Sequence, residues 1–127
     1  MFNPDMFPVP VFMPSLETAA RSLKVALIIA PVHSDAEIET AITALGREPG
    51  GGLFVMPDVF TNAHRASVIS AAARNNVPAI YSQSVAVKDG GLLSYGIDVV
   101  DNWRRAATYV DRIVREPAIS RCSFDKI

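Results

Sequence analysis

Apolar positions recur along the chain with two different rhythms. Leu16, Ala19, Ala20 and Leu23 fall at i, i+3, i+4 and i+7, which predicts a short amphipathic helix after Ser15. "KVALIIAPV" (24–32) is continuously apolar instead of alternating, the pattern of a strand buried on both faces. Ser34 and Glu37 form an S-x-x-E capping box, and Ile38, Ala41, Ile42 and Leu45 repeat the helical stripe behind it. "GREPGGG" (46–52) reads as a loop and "LFVMP" (53–57) as a second buried strand. After Asp58 a helix is expected from about residue 61 to 75, with Ala66, Ile69 and Ala73 facing inward. Pro78 opens a third strand, "PAIY"; "SQSVAVKDG" is a loop or short helical turn, and "LLSY" another strand. Asp98 caps a last helix whose apolar face is Val100, Trp103, Ala107, Val110 and Val114.

Strands alternating with helices predict a doubly wound α/β domain, three layers with a parallel sheet at the centre. With "MFN" as the end of a first strand, the flavodoxin-like order 2-1-3-4-5 is the natural arrangement. Ligands of such sheets bind at the carboxyl ends of the strands. The residues that face a site are then 3–5, 31–33, 57–60, 81–83 and 94–96.

Composition narrows the function classes. At 127 residues, half of them hydrophobic, the chain fits one core, and a net charge of −1 offers no footprint for nucleic acid or an anionic membrane. A single cysteine and two scattered histidines supply no metal spacing, so neither a metal nor another cofactor is expected. The longest apolar run is far short of the roughly 20 residues of a membrane helix. The opening "MFNPDMFPVPVFMPS" lacks the basic start and cleavage site of a signal peptide, and its four prolines argue against a helix there. As written, the sequence carries no export signal.

Candidate chemistry is sparse. "PGGG" (49–52) precedes a strand, whereas a phosphate loop must follow one and open a helix. His33 and His64 have no triad or metal partners at suggestive spacing, and no nucleophile stands beside a base, so no enzyme is expected. Asp58 ends a strand where receiver domains, which resemble this layout, carry a phosphoacceptor. That chemistry also needs an acidic pair after the first strand and a lysine ending the fifth; only Asp5 approximates the former, and Ser94 and Tyr95 replace the latter. A helix cap is the alternative role for Asp58.

"FNPD", "SLETAARSL", "ALIIAPVHSDAEIETAI", "GGGLFVMPDVFTNAHRASVISAAARNNVPAIY", "GGLLSYGID" and "RRAATYVDRIV", in that order, resemble the carboxyl-side lobe of ABC-transporter substrate-binding proteins that include tryptophan- and tyrosine-binding members. The resemblance implies a type I periplasmic binding fold, two flavodoxin-like lobes closing on a small organic ligand for a membrane permease. It also implies cleft roles for Asp58 and Phe60, for Ser82 and Gln83, and for Ser94 and Tyr95, a hydroxyl and an aromatic ring suited to a polar ligand such as an amino acid. Each of the six reads equally as a strand-end residue satisfying local backbone groups.

The sequence departs from the family pattern in several places. The amino-side lobe has no counterpart, "MFPVPVFMP" delays the first helix, and "SQSVAVK" differs from the loop expected before "DGG". Past Glu116, "PAISRCSFDKI" replaces the run toward the hinge, as a truncated gene with a shifted final frame would. The expected organisation is therefore a proline-rich apolar arm (1–14), an α/β lobe (15–116) and a divergent tail (117–127). The family is periplasmic; without a leader in this sequence the cytoplasm stays open as its location. A lobe that still binds a ligand weakly and a folded remnant without transport function are both compatible with these departures. The arm is expected to pack on a second subunit of a two-fold homodimer.

Overall fold

From Val9 onward the proline-rich opening is helical, contrary to the expectation from its prolines. In the computed structural model, which describes residues 1–115, the first helix, α1, runs Val9–Leu23. Pro10 stands in the first turn, where an N–H has no intrahelical acceptor anyway. Pro14 therefore removes the one interior hydrogen bond at stake, and the helix tolerates it. Lys24 ends the helix in the left-handed region with φ 56°, its N–H directed back to Ala20 and Arg21. Phe2, Phe7 and Met56 are buried together against Val9 and Leu16, so the opening packs on its own lobe.

The remaining elements of this unit are α2 (Asp35–Gly46), β1 (Leu53–Val55), α3 (Val59–Ala63), α4 (Arg65–Arg74), β2 (Ala79–Tyr81), α5 (Ser84–Lys88) and β3 (Leu93–Ser94). Among the described residues the strands form one parallel sheet in the order β1-β2-β3, with Leu53 beside Ala79 and Ile80 beside Leu93. Leu53 and Val55 point to the face where Ile38, Ile42, Val68, Ala71 and Ala72 of α2 and α4 form the main core. Met56, next in the alternation, joins the α1 cluster on the other face. The lobe is a flavodoxin-like α/β unit.

Two of the expected strands are only rudimentary. Phe2 N–H donates to Ala30 at 3.2 Å and Phe2 carbonyl accepts from Val32 at 2.9 Å, while the Met1 carbonyl accepts from Met56 at 3.1 Å. Residues 1–2 thus lie between 30–32 and β1, the place of a first strand in the order 2-1-3-4-5. The pairing amounts to a single parallel bridge, Phe2 with Pro31. The apolar run before it is a correction to the sequence reading: Val25, Leu27, Ile28 and Ile29 are exposed at 58, 43, 70 and 52%. A strand is buried only by its neighbours, and Phe2 reaches no further back than Ala30.

The helix expected over 61–75 is two helices broken at His64 (φ −95°, ψ 17°). The break shifts the phase of the second, so that Val68, Ala71 and Ala72 are buried, while Ala66 and Ala73 are exposed and Ile69 is half-buried. The capping box at α2 forms with a variation. Ser34 accepts from Glu37 N–H at 3.3 Å, but the Glu37 carboxylate reaches past Ser34 to His33 N–H at 2.8 Å.

Contacts divide the chain into Met1–Gly96 and a second unit, Ile97–Ile127, in which α6 (Val99–Arg115) is described. Asp98 caps it as expected, accepting from Asp101 N–H at 3.0 Å. The sequence beyond residue 115, including the tail expected over 117–127, lies outside the described residues.

Candidate functional site at the carboxyl ends of the strands

After β1 the chain passes through Met56 and Pro57 to Asp58 and turns at once into α3. Asp58 is 6% exposed, yet neither carboxylate oxygen is without a donor. Oδ1 accepts from Thr61 N–H at 2.7 Å, capping α3, and Oδ2 accepts from Asn3 N–H at 3.1 Å. Thr61 Oγ1 donates in turn to the Met56 carbonyl at 2.9 Å. Asp58 therefore binds the end of β1 to the opening of the chain, where Asn3 is also buried.

Met1 continues this connection with its amino group, which donates to the Phe54 carbonyl at 2.7 Å. Burial lowers the pKa of that ammonium to about 6, a shift that the nearby Asp58 carboxylate partly offsets.

Beside Asp58 the ends of β1 and β2 enclose a recess of about 20 Å³, room for roughly one water. Of the six candidates, Asp58, Ser82 and Gln83 line it. Thr61, Arg65 and Tyr81 join them; the strand-end rule places Tyr81 here, and the sequence reading did not assign Thr61 and Arg65 to the site. Their signal was positional: Tyr81 ends a strand, and Thr61 and Arg65 stand within two turns after one. Burial raises the Tyr81 phenol above its ordinary value. Arg65 reaches the Asp89 carboxylate through Nε at 2.5 Å and the Asn62 carbonyl through its terminal nitrogen at 3.3 Å.

The other three candidates stand apart. Phe60 stacks on the His64 ring with centroids 4.3 Å apart, on the core side of α3. Ser94 is the half-buried end of β3, and Tyr95 binds the sheet through its backbone, donating to the Tyr81 carbonyl at 2.8 Å while its side chain is 81% exposed. Gly96 follows at a place where a Cβ would meet the Ser82 carbonyl oxygen. The "SYG" turn therefore lies directly against the strand end that carries Ser82 and Gln83.

Two clusters lie outside the recess. His33 stands between Glu37 at 3.2 Å and Asp5 at 3.7 Å; the hydrogen bonds from the His33 backbone and ring hold the Glu37 carboxyl below its ordinary value. A larger groove of about 350 Å³ runs between α2 and α4. Its charges are satisfied among themselves, Arg74 on Glu39 and His64 on Asp35, with Ser67 and His64 lowering the Asp35 pKa. It lies on helix faces and not at the strand ends, so the smaller recess is the better candidate despite its size.

Residues 1–126 match the model of the ABC transporter substrate binding protein family. The chain belongs to this family. Among solved structures it is similar to a conserved domain protein from Vibrio cholerae O1 biovar El Tor strain N16961, with a TM-score of 0.70 and 21% identity over 91% of this chain. The chain spans 38% of the length of that protein, and at this identity the likeness concerns the fold. No curated protein matches it. Among the described residues no helix is long and apolar enough to cross a membrane, and no cluster of His, Cys, Asp or Glu is suited to a metal.

Proposed function

We propose that this substrate-binding family member supplies one wall of a ligand cleft, with the strand ends of Met1–Gly96 as its floor, for a small amino-acid-like solute passed to an ABC permease. The observation that carries this reading is the recess, where Asp58, Ser82 and Gln83 meet Arg65 at the carboxyl ends of adjacent parallel strands. Arg65 offers a guanidinium to a ligand carboxylate, in exchange for part of its contact with Asp89. Ser82 and Gln83 offer donors and acceptors to the amino group, and Ser94 and Tyr95 a rim that a ligand or a second lobe would cover. Asp58 acts from behind, holding the floor in shape. In this reading the protein does no covalent chemistry and acts in the periplasm, as its family does.

A recess with room for one water encloses little of a ligand, so affinity from this wall alone is low. Calorimetry against aromatic and branched amino acids is expected to give dissociation constants no tighter than about 100 μM, near −5.5 kcal/mol. A sub-micromolar constant for the monomer would refute the one-wall reading. Equal responses from an amino acid and its amide, or from wild type and Arg65→Ala, would refute the carboxylate role of Arg65.

A further inference from the structure

Asp58 and Thr61 line the recess and use their polar atoms to hold the end of β1. Tyr81 lines it too and is only 4% exposed, yet its hydroxyl has no hydrogen-bond partner among the described residues. Among those residues every side-chain oxygen or nitrogen sealed from solvent is satisfied. The unpartnered Tyr81 oxygen therefore keeps contact with open space, and the space this side chain lines is the recess. Burial, with no hydrogen bond contributing, raises the phenol above its ordinary value, so at neutral pH the hydroxyl is protonated and able to donate. A buried donor left without an acceptor is costly to a fold that gains nothing else from it.

On the reading that this recess is the floor of the cleft, we propose that the Tyr81 hydroxyl is a ligand-binding group, donating to one carboxylate oxygen of a solute whose other oxygen is held by Arg65. The size of the recess, about 20 Å³, admits the tip of a polar group and neither a ring nor an alkyl chain. Arg65 has donors to spare: Nε is on Asp89 at 2.5 Å and one terminal nitrogen on the Asn62 carbonyl at 3.3 Å, while the other has no acceptor among the described residues. Asp58 brings a negative charge to the same recess, so a carboxylate oxygen entering it needs donors of its own there. The Tyr81 hydroxyl and the Arg65 guanidinium are those donors.

The ring is held in place before any ligand arrives. Sheet pairing sets Tyr81 between Val55 and Ser94, and its carbonyl accepts from Tyr95 N–H at 2.8 Å. The chain at Gly91 passes so close to the ring edge that a Cβ there would lie 2.8 Å from Cε2. A donor fixed in this way loses little freedom on binding, which favours affinity for a group of matching position.

The test is an NMR titration of the full chain, carrying isotope-labelled tyrosine, with acetate, the smallest probe of a carboxylate site, at constant ionic strength. The Tyr81 ring signal is expected to shift saturably together with the Ser82 and Gln83 amides. Tyr81→Phe keeps the ring and removes an oxygen that holds nothing in the fold. Its melting temperature is expected to equal or exceed that of wild type, while its dissociation constant for acetate rises about tenfold. Acetate that shifts the Ser82 and Gln83 amides without the Tyr81 ring, or that binds Tyr81→Phe as tightly as wild type, overturns the role of Tyr81 and leaves the cleft floor standing. Acetate that moves none of these signals overturns the cleft floor and the role of Tyr81 with it. A Tyr81→Phe chain that melts clearly below wild type or fails to fold also overturns the proposal, since the hydroxyl would then be a structural group.

Discussion

Removing the Asp58 carboxylate tests whether it is chiefly a structural tie. In Asp58→Ala two hydrogen bonds disappear, one capping α3 at Thr61 N–H (2.7 Å) and one holding Asn3 N–H (3.1 Å). A lost N-cap costs about 1 kcal/mol. Asn3 is 5% exposed, so its N–H is left buried without an acceptor, at about 1–3 kcal/mol more. The sum is about 2–4 kcal/mol, a large part of the stability of a domain this size. In urea, with a slope of about 1–3 kcal/mol/M, the midpoint is expected to fall by about 1–2 M. Asp58→Ser separates the two contributions, since a serine hydroxyl still caps α3 but is too short to reach Asn3. Its loss should lie about 1 kcal/mol below that of alanine. Asp58→Ala with a midpoint unchanged within error would refute the argument, since the opening of the chain would then be held by something other than this carboxylate.

The Met1 ammonium makes stability depend on pH. Its pKa falls from 8.0 in the unfolded chain to about 6 when folded, so between those values the unfolded chain binds more protons. Stability should therefore rise by about 2 kcal/mol from pH 6 to 8 and level off above; urea melts of the native and amino-acetylated chains check this, and a rise that survives acetylation would assign it elsewhere. Gly96→Ala should be destabilising, because the added Cβ meets the Ser82 carbonyl oxygen, a backbone atom that cannot swing away. A melting temperature equal to wild type would contradict that close approach. Beryllofluoride with magnesium should leave the NMR signals around Asp58 unmoved, since both oxygens already hold backbone donors; saturable shifts there would restore the phosphoacceptor alternative.

Local pattern was enough for elements that carry their own instructions. The capping box and the Ile38 and Ile42 stripe place α2, and the apolar runs bounded by Gly52 and Pro57, and by Pro78 and Ser82, place β1 and β2. Asp98 and Asp58 were recognisable as caps because capping depends on residues within one turn. The strand-end rule led to Asp58, Ser82 and Gln83, since chain order alone decides which ends of a parallel sheet coincide. What the tertiary structure decided was everything that depends on a distant neighbour. Whether "VALII" is buried is not a property of those five residues, because a strand is completed by hydrogen bonds from another segment, and Phe2 supplies them at Ala30 and Val32. The break at His64 rotated the buried face of α4, which no periodicity count across 61–75 could show. Arg65 entered the recess because that break and the contact with Asp89, 24 residues along the chain, set its direction together.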